Sequence, residues 1–331
     1  MAALGSRRLV PETRLAIDIG GTFTDVVLEM DGRLVTTKVL TTPRAPEQGV
    51  MAGFEKVRAL SGVDPGDIRL VIHGTTLATN ALIERRGAKT ALVVTSGHRD
   101  ALEMAHENRF EQYDLSVDRP VPLVPRHLRI PVLERIGIKG DVLVPLNEDS
   151  VRALLDVLVE KEVESVAVGL LHAYANPRHE RRIRELLLKA LPSLSITLAS
   201  EVCPEVREYE RLSTACANAY VQPLMSRYLR ALARALRDAD VACPFLLMTS
   251  GGGLTTLETA TAFPIRLVES GPAGGVILAS HVARQCGLDR VISFDMGGTT
   301  AKLCIVDGGR PLSSRHFEVA RSYRFRRGSG L

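Results

Sequence analysis

The chain has 331 residues, 45% of them hydrophobic, enough for at least one large core and, at usual domain sizes, for two domains. Its 42 Lys and Arg against 38 Asp and Glu leave a net charge of +4 that is spread along the chain, which excludes the basic stripe of a nucleic-acid binder. No stretch approaches the ~18 uninterrupted apolar residues of a membrane span, and the N-terminal MAALGSRRLVPETR has no apolar signal region, so the chain reads as soluble and cytoplasmic.

In chain order, apolar strand candidates at Leu15–Ile19 and Val26–Glu29 flank a glycine turn, and Leu70–His73 and Thr90–Thr95 follow. Residues 100–147 break the rhythm with Pro120, Pro122, Pro125, Pro131 and Pro145, marking an inserted loop region or small subdomain. Helices are expected over Ser150–Lys161, with Ser150 as N-cap, and His179–Leu191 after Pro177; strands at Ser165–Leu171 and Ser195–Ala199 alternate with them. A long helical stretch runs from Glu205 to Arg237, with a break or kink at Pro223. Strands at Phe245–Thr249 and Val291–Asp295 complete an α/β pattern on a mixed sheet, with Ser250–Gly253 read as a turn. The five cysteines are odd in number and show no CxxC spacing, so reduced, mostly buried thiols are expected. The basic run Arg321–Arg327 is expected to be a solvated tail or a cut element, not a binding patch.

The strongest signal is internal repetition. LAIDIGGTFTDVVL at Leu15–Leu28 is echoed by ISFDMGGTTAKLCI at Ile292–Ile305, so that Asp18 matches Asp295, Gly20 and Gly21 match Gly297 and Gly298, and Thr22 matches Thr299. Each copy spells strand, glycine turn, strand, a β-hairpin; no GxxxxGK[ST] is present and neither turn opens a helix, which argues against a P-loop or a dinucleotide fold. Glycines let backbone N–H groups approach phosphate oxygens, and Thr hydroxyls add donors. An Asp at a strand end places a carboxylate where it can hold magnesium through water or orient a nucleophile. Two such hairpins facing each other would clamp one ATP.

This arrangement resembles the two phosphate loops of the actin, sugar kinase and DnaK-type superfamily, and VESGPAGGVILASHVA at Val268–Ala283 resembles its first hinge helix, where Gly271, Ala273, Gly274 and Gly275 would let two helices cross closely. Within that superfamily DIGGTFTD at Asp18–Asp25, HGTTLATNALIERRGAKTALVVTSG at His73–Gly97, SGPAGG and DMGGTT resemble the hydantoinase A and 5-oxoprolinase family, across nearly the whole chain.

The resemblance implies an actin-like (ribonuclease H-like) α/β fold and ATP-dependent, ring-opening hydrolysis of a cyclic amide such as a hydantoin or 5-oxoproline. A ketone carboxylase subunit and a sugar-kinase-like phosphotransferase, with Asp100 as its base, are the alternatives. Gly20, Gly21, Thr22, Thr24, Gly297, Gly298, Thr299 and Thr300 would grip the phosphates of ATP, and Asp18 and Asp295 would be catalytic and face Mg. His73, Thr75, Thr76, Thr79 and Asn80 are open to two roles, substrate contact or helix capping beside a core histidine. Arg109, in the cluster His106–Arg109, would bind a substrate carboxylate or end a solvated helix. Lys302 replaces the Asp of the first loop, and it could touch a phosphate but not bind the metal.

The implied division is a tail over 1–13, a first domain over 14–287 (family N-terminal region to about 198, insertion about 100–147, hinge helix about 270–283), and the opening hairpin of a truncated second domain over 288–331. Relatives are expected to be roughly twice as long. These residues alone are therefore expected to bind ATP weakly or not at all and not to turn over; the resemblance implies a missing C-terminal half, a hydantoinase B-type subunit as partner, and an oligomer when complete.

Overall fold

The computed structural model describes residues 13–296, 301–323 and 326–331. Its strands are β1 (Thr13–Ile19), β2 (Phe23–Met30), β3 (Arg33–Leu40), β4 (Ile68–Thr75), β5 (Thr90–Thr95), β6 (Arg129–Val132), β7 (Arg135–Ile136), β8 (Val142–Val144), β9 (Ser165–Gly169), β10 (Ser195–Leu198), β11 (Phe245–Met248), β12 (Leu254–Thr256), β13 (Arg290–Met296), β14 (Ala301–Asp307) and β15 (Arg310–Pro311). The helices are α1 (Pro46–Ser61), α2 (Leu77–Ile83), α3 (Ala101–Met104), α4 (Glu148–Glu160), α5 (Arg178–Ala190), α6 (Ala199–Val202), α7 (Glu208–Asp238), α8 (Leu257–Ala262) and α9 (Ser270–Gln285). They form two compact units, Met1–Leu77 with Arg227–Thr261 and Arg266–Ser313, and Ala78–Ser226 with Ala262–Ile265 and Ser314–Leu331.

The first unit is built on a mixed sheet, β12-β11-β4-β1-β2-β3. Strands β1, β2 and β3 form an antiparallel meander, and β4 runs parallel to β1 and to β11. Along β1 the side chains alternate: Leu15, Ile17 and Ile19 are buried while Arg14, Ala16 and Asp18 take the open face. That period of two delivers Asp18 to the surface at the strand's end. Helix α1 covers β2 and β3 closely, since a Cβ at Gly53 would lie 2.7 Å from Val26 Cγ2. A second, three-stranded sheet, β13-β14-β15, packs on α9.

The second unit holds the sheet β10-β9-β5-β6, all parallel. Strands β5 and β9 are buried at every residue, as a parallel sheet covered on both faces requires. The close approach of residue 87 to α7 supports this unit: a Cβ at Gly87 would lie 2.5 Å from the Tyr220 carbonyl oxygen and 2.2 Å from its ring. Gly87→Ala is expected to cost about 1–3 kcal/mol, read as a lower urea midpoint at unchanged m-value; a wild-type midpoint would contradict this packing.

Several expectations need correction. Asn147, not Ser150, caps α4, its side chain accepting the Ser150 N–H at 2.9 Å, because the helix begins two residues earlier. The proline-rich stretch supplies β6 to the second unit's sheet, where Pro131 is tolerated because an edge strand leaves one row of N–H groups unpaired. Helix α7 runs through Pro223 as one 31-residue element. Of the five cysteines, all free, only Cys216 is buried, and burial pushes its thiol up to about 12. The described arginines of the basic C-terminal run, Arg321, Arg326 and Arg327, are exposed as expected, but the segment is tied down: Tyr323 stacks on Phe110 at 4.9 Å and donates to Asp118 O at 2.6 Å, and Leu331 pairs with Val319 through two backbone hydrogen bonds. Among the described residues no helix is long and apolar enough to cross a membrane.

Candidate functional site

The first hairpin closes where Asp18 pairs with Asp25 and Ile19 with Thr24. The Gly20 N–H donates to Phe23 O at 2.9 Å, leaving Gly21 and Thr22 exposed at the tip. Thr41, just beyond β3, braces this tip: its N–H donates to Thr22 O at 2.9 Å and its hydroxyl to Gly20 O at 3.0 Å. That leaves the Thr41 oxygen to accept from the Thr24 hydroxyl at 3.0 Å. Thr24 is fully buried, so it supports the loop from beneath instead of presenting a hydroxyl to phosphate. Thr41 carried no motif signal.

The Asp18 carboxylate lies against Gly74, its register partner on β4, where a Cβ would come within 2.9 Å of Asp18 Oδ1. Its pKa is raised, first by loss of water around the carboxyl and then by the negative charges of Asp25 and Asp295, against which Lys38 works. Lys38 itself pairs with Asp25 at 2.6 Å and lies over the Phe23 ring. Asp295 ends β13 opposite Lys302, whose ammonium is paired with Glu269, the left-handed residue that precedes α9. The negative charge of Asp295 is the smallest of the influences on Asp18, although the two residues are far apart in the chain. Gly297, Gly298, Thr299 and Thr300 lie outside the described residues.

The expected hinge glycines do not seat a helix crossing among the described residues. A Cβ at Gly271 or Gly275 would meet nothing within 4 Å, and at Gly274 only the Met248 methyl at 3.9 Å. Helix α9 instead packs on strands, and Ser270 donates to Thr75 O at 3.3 Å.

His73 is fully buried, with Nδ1 on Ile17 O at 3.2 Å and Nε2 on the Tyr228 hydroxyl at 2.8 Å. With Ile17 O an acceptor, Nδ1 carries the proton and Nε2 accepts from Tyr228. Burial lowers its pKa to about 4, so the ring is neutral and serves the core, not a substrate. Thr75, also buried, accepts the Leu77 N–H at 3.2 Å, and Thr76 donates to Ile19 O at 3.0 Å. Of the two roles open to these residues, capping and anchoring is the one they fill here. Thr79 is buried and Asn80 half-buried on α2. Tyr228→Phe would leave the His73 acceptor unpartnered and is expected to cost about 1–3 kcal/mol. Because the folded pKa of His73 is depressed, stability should fall as pH drops from its ordinary value of 6.5 toward 4. Replacing His73 with Leu should flatten that part of the pH–stability curve; an unchanged curve would refute the assignment.

In the second unit Arg109 is exposed, while its neighbour Asn108 donates to Arg327 O at 2.9 Å and His106 packs edge-on against Tyr209. Asp100 is held by Arg126 through two hydrogen bonds of 2.8 and 2.9 Å, which keep its carboxyl below the usual range. A carboxylate so paired is a poor general base, which counts against the kinase alternative.

Among the described residues no three His, Cys, Asp or Glu side chains converge as a direct metal-ligand set. At Asp18 the negative charges of Asp25 and Asp295 work against the positive charge of Lys38.

A mixed sheet with matching carboxylate-bearing hairpins at two points of the chain is the architecture of an actin-like ATPase. The chain belongs to the hydantoinase/oxoprolinase family: the family's N-terminal region matches residues 14–191 and its hydantoinase/oxoprolinase region residues 211–326. The ATP-dependent caprolactamase of Pseudomonas jessenii is 35% identical with a TM-score of 0.79, over 88% of this chain and 43% of that one. Nucleotide-free acetone carboxylase, from work on ATP-dependent acetone carboxylation, is 27% identical with a TM-score of 0.80, over 91% and 45%. 5-oxoprolinase 1 of Arabidopsis thaliana is 31% identical over 89% of this chain and 25% of its own length. The chain therefore spans less than half the length of these relatives.

Proposed function

We propose that this chain is the nucleotide-binding part of an enzyme that spends ATP to open a cyclic amide, of hydantoin or 5-oxoproline type. The observation that carries this is a pair of matching strand pairs, β1–β2 and β13–β14, each with an aspartate one residue before the end of its first strand, Asp18 and Asp295. Aspartates so placed are what an ATP site with a bound cation uses. Gly20, Gly21 and Thr22 would face the phosphates from one hairpin and Gly297, Gly298, Thr299 and Thr300 from the other. Magnesium would be held through water by Asp18 and Asp295 and would neutralise charge on the phosphates.

The chemistry follows from the weakness of a lactam carbonyl as an electrophile. Its oxygen attacks the γ-phosphorus, and the bond to ADP breaks. Water then adds to the activated carbon, the ring C–N bond breaks, and the amine leaves with a proton. The resulting acyl phosphate is hydrolysed by a second water to carboxylate and phosphate. Residues 288–331 would open a second domain, which is supported by the exposure of Ile292, Phe294, Met296, Leu303 and Ile305 on one face of the β13–β14 hairpin. A hydantoinase B-type subunit would complete the assembly.

The ketone carboxylase reading is retained because of the acetone carboxylase likeness. ATP consumption by the whole protein, measured with 5-oxoproline, a hydantoin, a lactam, a ketone plus bicarbonate, a sugar, or nothing added, separates the readings. ADP and phosphate release that depends on a cyclic amide is expected. Ring opening without ATP would overturn the proposal.

A further inference from the structure

The ion pair between Lys302 and Glu269 has no part in the chemistry above, yet it decides what stands beside Asp295. Asp295 and Lys302 lie directly opposite each other in the β13–β14 register. In an antiparallel pair such residues share a face, with Cβ atoms about 4.5–5.5 Å apart, and opposite charges so placed attract each other. Their face is the inner one: Ser293 and Cys304, the next pair along it, are half-buried, whereas Phe294 and Leu303 of the other face are exposed. Lys302 nevertheless donates to Glu269 Oε2, and Asp295 makes no hydrogen bond or ion pair with a described residue.

Glu269 is fixed where it can do this. It takes a left-handed backbone (φ 63°) immediately before α9, and its side chain is only 14% exposed. The next residue, Ser270, is fully buried and donates to Thr75 O at 3.3 Å, at the end of the strand that flanks Asp18. The first hairpin shows the same arrangement with the charges reversed. Asp18 stands opposite Asp25, and Asp25 is paired from the next strand by Lys38 at 2.6 Å. Asp18 likewise makes no hydrogen bond or ion pair with a described residue. In each strand pair a third element takes up the charge opposite the aspartate and leaves the aspartate itself unpaired.

We infer that Glu269 is a positioning residue: it holds the Lys302 ammonium away from Asp295, so that the Asp295 carboxylate stays open to a bound cation. The inference rests on the reading in which Asp295 faces the magnesium of ATP. An unpaired carboxylate keeps both oxygens for the water shell of such a cation, whereas one paired with a lysine would first have to give up a charge-assisted hydrogen bond. Lys302, engaged by Glu269, then stands outside the phosphate site.

The test uses the complete enzyme and reads Mn²⁺ binding by electron paramagnetic resonance in the presence of a non-hydrolysable ATP analogue, with the Mg²⁺ dependence of ATP consumption alongside. Glu269→Gln should release Lys302 onto Asp295 and weaken Mn²⁺ binding by about tenfold. Lys302→Met should stay within about twofold of wild type. The double variant should return to that level, because without the ammonium nothing competes for Asp295. Equal losses in the two single variants with no recovery in the double would make the pair structural. A gain in Lys302→Met that mirrors the loss in Glu269→Gln would point to a field effect, not a held side chain; either result overturns the inference. Asp295→Asn separates this from the underlying reading: if it binds Mn²⁺ like wild type, the magnesium role of Asp295 falls, and if it is impaired while Glu269→Gln is not, the inference alone falls. If Glu269→Gln does not fold, Glu269→Asp takes its place, with a smaller loss that Lys302→Met again removes.

Discussion

In the complete enzyme Asp18→Asn is expected to lower substrate-dependent ATP turnover by about 10²–10⁴-fold, while leaving this chain without ligand as stable as wild type or more so at neutral pH. The two effects have one cause. The Asp18 pKa is raised above its ordinary 3.8 by lost hydration and by Asp25 and Asp295. Between the unfolded and the folded pKa the native state therefore binds more protons than the unfolded chain, and stability falls as pH rises through that window. The amide removes the penalty together with the chemistry, the trade-off expected of a charge retained for function. Thermal unfolding across acid to neutral pH, alongside steady-state kinetics, reads both. A variant that keeps wild-type turnover, or one that is clearly less stable at neutral pH, would show that Asp18 has a structural role instead.

Gly74→Ala should cost about 10²-fold in the turnover of the complete enzyme, with little change in the unfolding temperature of this chain. The residue lies in β4 beside Asp18, and the added methyl would sit 2.9 Å from Asp18 Oδ1. A strand accepts alanine readily, so the backbone has little reason to move; the carboxylate does, because it is the end of a side chain. Displacing a group proposed to position phosphate or metal is expected to be costly in proportion to how finely it is placed. Kinetics indistinguishable from wild type would mean that Asp18 has freedom to spare, and its proposed role would fall with that result.

Both variants concern a feature that was legible from residues alone. The paired DxGGT segments lie between antiparallel strands because alternating apolar residues form strands on either side, and in the first the glycine turn closes within a few residues. The buried run of β5, the helices α4 and α5, and the long α7 were visible for the same reason. The short strands β6 and β12 and the meander strand β3 were not, since their residues alternate weakly and are ordered by the strands beside them.

The roles of individual polar residues divide along that line. The sequence by itself determined the family, the α/β class and the place of Asp18 at a strand end, because each rests on local periodicity and turn chemistry. Only the tertiary structure decided that His73 is a core residue, that Thr24 is a brace and that Asp18 lies against Gly74, within the field of Asp25 and Asp295. Those outcomes depend on Tyr228, Thr41 and a second hairpin, partners brought near by folding, and burial turns on what a side chain meets in space, which no local pattern records.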